Sequence, residues 1–214
     1  MNIVKESLSE QIYKILKNDI INHKINFGEV IVNRNLQERF NVSSTPVRDA
    51  LLRLKEDGII DEITRSGAKI IDFNPKFARQ VNEFIMIITL GAIEHSLNIE
   101  NTSMFIENLL KYIDLQKKNI ETNFYYEYDY YFHKTIFDFS KNPLLKELFK
   151  KYNLINEILV RAYHRDNFSL EIRKNCIEEH EKIIESIRAN DLQATLAMVK
   201  KHYMSADQIF KKAL

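Results

Sequence analysis

A chain of 214 residues with 45% apolar side chains exceeds one typical domain and is apolar enough to bury real cores. Its net charge of +1, with 11 basic against 11 acidic residues in Met1–Asp72, excludes nucleic-acid binding by bulk charge and confines any such contact to a local basic face. The most apolar run, Phe84 to Ile93, is broken by Thr89 and Gly91 and falls short of the roughly 20 residues that span a bilayer; MNIVKESLSEQ has no signal-peptide core and the lone Cys176 has no disulfide partner, so a cytoplasmic chain with no membrane role is expected.

In chain order, Asn33 to Phe40 reads as a short amphipathic helix, with Leu36 and Phe40 four apart, and Asn41-Val42 leave only a brief turn before the next helix. That helix lies within Val42 to Gly58: Ser43, Ser44 and Thr45 offer capping oxygens, Pro46 suits a first helical turn, and Gly58 suits the position just past the end. Val47, Leu51 and Leu54 form its inward stripe, leaving Arg48, Asp49, Arg53 and Lys55 largely outside it. Helix, turn, helix is the geometry that places a recognition helix in the DNA major groove. After Gly58, two runs rich in Ile and Thr flank Arg65-Ser66-Gly67 and predict a β-hairpin wing.

Asn74-Pro75 ends the wing segment, because proline cannot continue a ladder, and the domain boundary is expected near Phe73, giving 1–73 and 74–214. The remainder reads as about six helices, 75–97, 102–119, 123–140, 143–164, 169–189 and 191–212, with breaks at Asn98, Lys141-Asn142-Pro143, Asp166-Asn167 and Asn190-Asp191. The expected fold is therefore mainly α: an N-terminal winged helix-turn-helix and a C-terminal antiparallel all-α bundle.

The bundle carries the candidate chemistry. Asp129 and His133 are four apart on one helix, so both project from the same face. His180 lies ten residues before Asn190 and His202 twelve after it, which at 1.5 Å per residue sets them within roughly 3 Å of the same height if the two helices run antiparallel. Four donors of this type suit a divalent metal, and the Irving–Williams order leaves Zn²⁺, Ni²⁺, Mn²⁺ and Fe²⁺ all open. No HExxH motif accompanies them, so a metal-dependent hydrolase is the weakest reading; Glu178-Glu179-His180 is its nearest candidate. In the aromatic run Phe124 to Phe132, the residues Tyr125, Tyr128 and Phe132 share one face and read as core or pocket wall. Cys176, with Glu178 and Glu179 nearby, reads as an inert thiol.

Phe27-Gly28, Leu36, Val42-Ser43, Pro46-Val47-Arg48-Asp49-Ala50-Leu51, Leu54, Gly58 and Gly67 resemble the N-terminal pattern of the GntR-type bacterial transcription regulators, in the FadR-like branch with a C-terminal FCD domain. DYYFH, EEHEKI and VKKHYM resemble the FCD pattern of one aspartate and three histidines, here Asp129, His133, His180 and His202. The resemblance implies a DNA-binding regulator, acting as a homodimer on a double-stranded operator, whose affinity responds to a small organic acid at a divalent metal site. The DNA-facing set it and the local basic face imply is Arg34, Ser43, Ser44, Thr45, Arg48, Arg53, Arg65, Ser66 and Gly67. Two departures stand out: Ser44 replaces a frequent arginine, which bears on base preference, and Phe27 replaces a frequent proline. A third is Leu90, where the family often has an arginine four residues before the glutamate matched by Glu94; this implies a less polar effector or a different carboxylate clamp. Arg161 and Arg165 are the candidate clamp, with Arg173 also near, and Tyr128 the candidate hydroxyl. The hinge for coupling is expected at Phe73 to Pro75. The alternative is a metal-free effector or dimerisation domain on the same DNA-binding module.

Overall fold

The computed structural model describes residues 6–97, 102–163 and 170–212, with the side chains of 161–163 and 209–212 outside that description. Contacts group Met1–Asn74 with Glu157–Ala162 in one compact unit, and Pro75–Asn156 with Tyr163–Leu214 in a second.

The first unit opens with α1 (Leu8–Ile21), whose start is capped by Ser7, its side chain accepting from the Glu10 amide at 3.2 Å. Ile12, Leu16 and Ile20 recur every four residues and are buried, so α1 presents one apolar stripe and packs against α3. Then come β1 (Val30–Val32), α2 (Asn33–Phe40), α3 (Ser44–Glu56), β2 (Ile60–Ile63) and β3 (Gly67–Ile70). Asn41 closes α2 in the left-handed region, φ 51°, a conformation that asparagine tolerates, and the chain turns directly into α3. Gly58, φ 77°, ends α3 as its position predicts, and the amides of Gly58 and Ile59 return to the carbonyls of Lys55 and Leu54. Ser43 departs from expectation: it is the residue before α3, in extended geometry, but its hydroxyl makes no cap hydrogen bond and stays exposed.

Neither α1 nor β1 carries a motif of its own, and both add to the expected helix pair and hairpin. The sheet is antiparallel with order β1-β3-β2, so the wing has three strands. Val32 pairs with Gly67 and Ile31 with Ala68. A Cβ on Gly67 would lie 2.0 Å from the Ile31 carbonyl oxygen, so the close approach of β1 requires glycine there. Phe27 packs edge-on against Phe73 at 4.7 Å and against His23 at 5.1 Å, an aromatic seam in place of the rigid loop a proline would give.

The second unit is all helical among the described residues: α4 (Pro75–Leu97), α5 (Thr102–Lys118), α6 (Phe124–Phe139), α7 (Pro143–Tyr163) apart from its Glu157–Ala162 stretch, α8 (Leu170–Arg188) and α9 (Leu192–Lys212). These match the six helices read from the punctuation. Lys141 and Asn190, both at φ 54°, mark two of the expected breaks, while Asn98 and Asp166-Asn167 lie outside the described residues. α4 packs on α6 and α9, α5 on α6 and α8, and α8 on α9. Phe105, Phe132, Phe137 and Phe149 are fully buried, with Phe137 and Phe149 stacked at 4.3 Å. No helix among the described residues is long and apolar enough to cross a membrane.

Candidate functional site

α6, α8 and α9 each bring one buried imidazole to a common point. The ligand atoms of His133, His180 and His202 lie within 4.8 Å of one another, and their ring centroids are 4.7 to 5.2 Å apart. Phe132 stacks on His180 at 3.9 Å and forms an apolar wall. Burial, reinforced by mutual repulsion with His202, holds His133 well below the ordinary imidazole pKa, and burial with repulsion from His202 and His133 does the same for His180. Both are therefore neutral at pH 7, the form in which imidazole ligates metal.

A second layer orients each ring. His180 Nδ1 lies 3.2 Å from Gln116 Oε1, and the same amide donates through Nε2 to Asp129 Oδ1 at 2.9 Å. His202 Nδ1 lies 3.0 Å from a Glu179 carboxylate oxygen, which Ser205 also supports by donating to the other oxygen at 2.6 Å. Burial raises the Glu179 pKa, but the bonds to His202 and Ser205 outweigh it and hold the carboxyl below its ordinary value. His133 Nδ1 lies 3.4 Å from the Tyr203 hydroxyl, which is 3.0 Å from Thr89 Oγ1, itself donating to the Ile85 carbonyl at 2.8 Å. Read as donors, the three Nδ1–H groups satisfy these partners and leave each Nε2 available for a cation, the outer arrangement that metal-ligating histidines use. The donor set thus fits a dication.

Asp129 shares the α6 face with His133, as the spacing predicts, but its Oδ1 gathers with Cys176 and His180 rather than with all three imidazoles. It lies 3.9 Å from His180 Nε2 and accepts a long contact from Cys176 Sγ at 3.8 Å. Burial and the Asp129 carboxylate push the Cys176 thiol pKa well up, and burial, then Cys176 and Asp129, raise that of Tyr125. Tyr125 is buried beside the sulfur, whereas Tyr128 is half-buried.

Of the proposed clamp residues, the Arg161 side chain and all of Arg165 lie outside the described residues. Arg173 is engaged elsewhere: it donates to the carbonyls of Ile120 and Thr122 just beyond α5 and stacks over Tyr125 and Tyr126 at 5.0 Å each. Leu90 is half-buried and Glu94 exposed.

In the first unit, Ser43, Ser44, Thr45 and Arg48 are all exposed at the start of α3, the end that meets base edges in a helix-turn-helix. Arg34 is exposed on α2 and paired with Glu38 at 2.9 Å. Arg65 and Ser66 are exposed at the hairpin turn, where Thr64 and Ser66 hydroxyls meet at 3.1 Å and Asn33 binds the carbonyls of both Arg65 and Ser66. Two members of the expected set also serve the fold. Arg53 is drawn onto α1, ion-paired with Glu10 and 4.2 Å from the Tyr13 ring centre, because the last turn of α3 rests on that helix. Gly67 is buried in β3 rather than at the wing tip.

Gln116, Glu179, Tyr203 and Thr89, which hold the imidazoles, carry no motif, since each meets its partner through helix packing. Cys176 had a legible signal: it stands four residues before His180, the spacing that also relates Asp129 to His133.

Residues 8–70 match the family described as bacterial regulatory proteins, gntR family, and residues 102–205 match the FCD domain. The chain is 27% identical over 207 residues to the uncharacterized HTH-type transcriptional regulator YdhC of Bacillus subtilis (strain 168), covering 90% of this chain and 86% of that one. It is 23% identical over 193 residues to the gluconate operon transcriptional repressor of Bacillus licheniformis, covering 88% and 79%. A putative GntR transcriptional regulator from Rhodococcus sp. RHA1 shares the fold with a TM-score of 0.77 at 14% identity, over 98% of this chain and 100% of that one. A winged helix with its arginine-bearing helix exposed, followed by an FCD bundle, makes this chain a member of the gntR family of bacterial regulatory proteins, a DNA-binding transcription regulator with an FCD effector domain.

Proposed function

We propose that this regulator tunes its operator affinity through a divalent cation and a small organic acid held together in the helical domain, and that it reads two half-sites as a homodimer. The observation that carries this is the buried trio His133, His180 and His202, each oriented by an outer partner. The three buried imidazoles with Asp129 nearby would hold the cation, and its charge, set in an apolar wall, favours an anionic ligand. The gluconate operon repressor among the relatives pairs this architecture with the name of a sugar acid, which supports a carboxylate effector. Arg161, Arg165 and Tyr128 remain the candidates for its far end. On the DNA side, Arg48 reads a base edge, and Arg34, Ser43, Ser44, Thr45, Arg65 and Ser66 set the register against phosphates.

A hydrolytic role lacks its base: Glu179, the carboxylate nearest the imidazoles outside Asp129, is engaged by His202 and Ser205. Elemental analysis of the purified protein and of a His133→Ala, His202→Ala double variant tests the metal. Near-stoichiometric metal that vanishes in the variant is expected, together with an operator affinity that shifts about 5 to 150-fold when small carboxylates are added to the metal-bound protein. Absence of metal from both proteins, with folding intact, would overturn the metal reading and leave a metal-free effector or dimerisation domain.

A further inference from the structure

Cys176 Sγ, Asp129 Oδ1 and His180 Nε2 form a nearly equilateral triangle, with sides of 3.8, 3.8 and 3.9 Å. The His180 Nε2 to Asp129 Oδ1 side is too long for a hydrogen bond, and the two sides to sulfur are long, weak contacts. A side divided by √3 puts the centre of the triangle about 2.2 Å from each corner. Ordinary zinc bond lengths are about 2.3 Å to sulfur, 2.0–2.1 Å to imidazole nitrogen and 2.0–2.2 Å to carboxylate oxygen. The triangle therefore has the size of a metal-binding face.

His180 is a member of both this triangle and the imidazole trio. Its Nδ1 is held by Gln116, so a single nitrogen, Nε2, remains, and that nitrogen serves one ion. The two groups therefore meet at one shared nitrogen, and an ion held on His180 Nε2 lies beside both. We propose that Cys176 is a thiolate ligand of the metal in this pocket, so that the centre is a mixed nitrogen, oxygen and sulfur site. The proposal rests on the metal reading above and adds the sulfur to it.

The chemistry is consistent. Without a cation, the sulfur beside the Asp129 carboxylate keeps its proton, which it shares in the long contact to Oδ1. As the metal–sulfur bond forms, the S–H bond breaks and the proton leaves to solvent, and the dication offsets the two negative charges. A thiolate narrows the metals that suit the pocket: soft sulfur favours Zn²⁺ and Co²⁺ over Mn²⁺, where imidazole and carboxylate alone leave all of these open. It also occupies a coordination position that would otherwise be open to water or an effector carboxylate.

The test is a titration of the metal-stripped full-length protein with Co²⁺, followed by absorption spectroscopy. Stoichiometric visible d–d bands accompanied by a sulfur-to-cobalt charge-transfer band in the near ultraviolet are expected. Cys176→Ser should abolish the charge-transfer band, retain d–d bands, and bind Co²⁺ roughly tenfold more weakly or worse. Because the chain has a single cysteine, the wild-type spectrum decides the question even if the variant folds poorly. Visible bands without a near-ultraviolet band in the wild type, or a band that survives in Cys176→Ser, would overturn the thiolate ligand while leaving the metal reading intact. Failure to take up Co²⁺ at all would overturn both.

Discussion

Glu179 and His202 meet across the α8–α9 interface, with His202 Nδ1 3.0 Å from a Glu179 carboxylate oxygen, and this contact fixes which nitrogen of the ring faces the other imidazoles. A carboxylate behind a histidine raises the basicity of the ligating nitrogen and holds the ring orientation. Glu179→Gln keeps a hydrogen-bonding oxygen but removes the charge, and is expected to weaken Zn²⁺ binding about 10 to 100-fold. Competition against a chelating indicator measures this directly. Unchanged affinity would mean that Glu179 serves only to join α8 to α9.

Asp138 supplies a pH prediction away from the imidazoles. Burial raises its pKa, but hydrogen bonds and charge from Lys134 on α6 and Lys146 on α7 outweigh it and bring the carboxyl below its ordinary value of 3.8. A carboxylate with a depressed folded pKa stabilises the fold above the unfolded value and loses that contribution as pH falls through the folded one. Wild type is therefore expected to melt above Asp138→Asn from pH 5 to 7, with the gap closing below about pH 4. The group is substantially exposed and screened, so the gap is small. Thermal melts of both proteins across this range check it, and a gap that widened in acid would reverse the assignment.

Much of this architecture was legible because its signals are local. The α2–α3 turn at Asn41, Gly58 and the break at Asn190 each follow from the backbone preference of one residue, the break at Lys141 follows from Pro143 just beyond it, and the structure keeps them. The approach of His180 to His202 follows from helix rise plus one assumption, that α8 and α9 run antiparallel, and the FCD resemblance adds His133. What escaped was set by packing. Arg53 carries the same charge as Arg48, five residues earlier, but Glu10 and Tyr13 draw it onto α1, a helix with no motif of its own. Gly67 reads as a wing-tip glycine until β1 joins the sheet and its carbonyl occupies the space a Cβ would need. Cys176 looked inert because the residues around it in sequence are acidic, whereas its neighbours in space are Asp129 and His180.

Gly67→Ala follows from that close approach. A methyl group 2.0 Å from the Ile31 oxygen forces β1 away from β3, and overpacking of this type costs about 1 to 3 kcal/mol. A lower melting temperature for the N-terminal unit is expected, with weaker operator binding as a consequence of a displaced Arg65-Ser66 turn. Urea unfolding followed by operator titration separates the two effects. A variant as stable as wild type would show that the wing tolerates two paired strands.

The two arginines of α3 are expected to divide DNA reading from stability. Arg48 is exposed in the first half of the helix and among the described residues makes no ion pair, so its guanidinium is available to a base edge. Arg48→Ala is expected to cost about 1 to 3 kcal/mol of operator affinity, relaxing preference at one position, with the melting temperature unchanged. Arg53 is held between Glu10 and the Tyr13 ring, so Arg53→Ala removes an ion pair and a cation–π contact from the α1–α3 seam. It should lower stability by about 1 kcal/mol, the scale of a part-exposed pair of this type, and leave sequence preference intact. Operator selection from a randomised pool, run on both variants beside thermal melts, distinguishes them: relaxed preference in Arg53→Ala, or its absence in Arg48→Ala, would exchange the two roles.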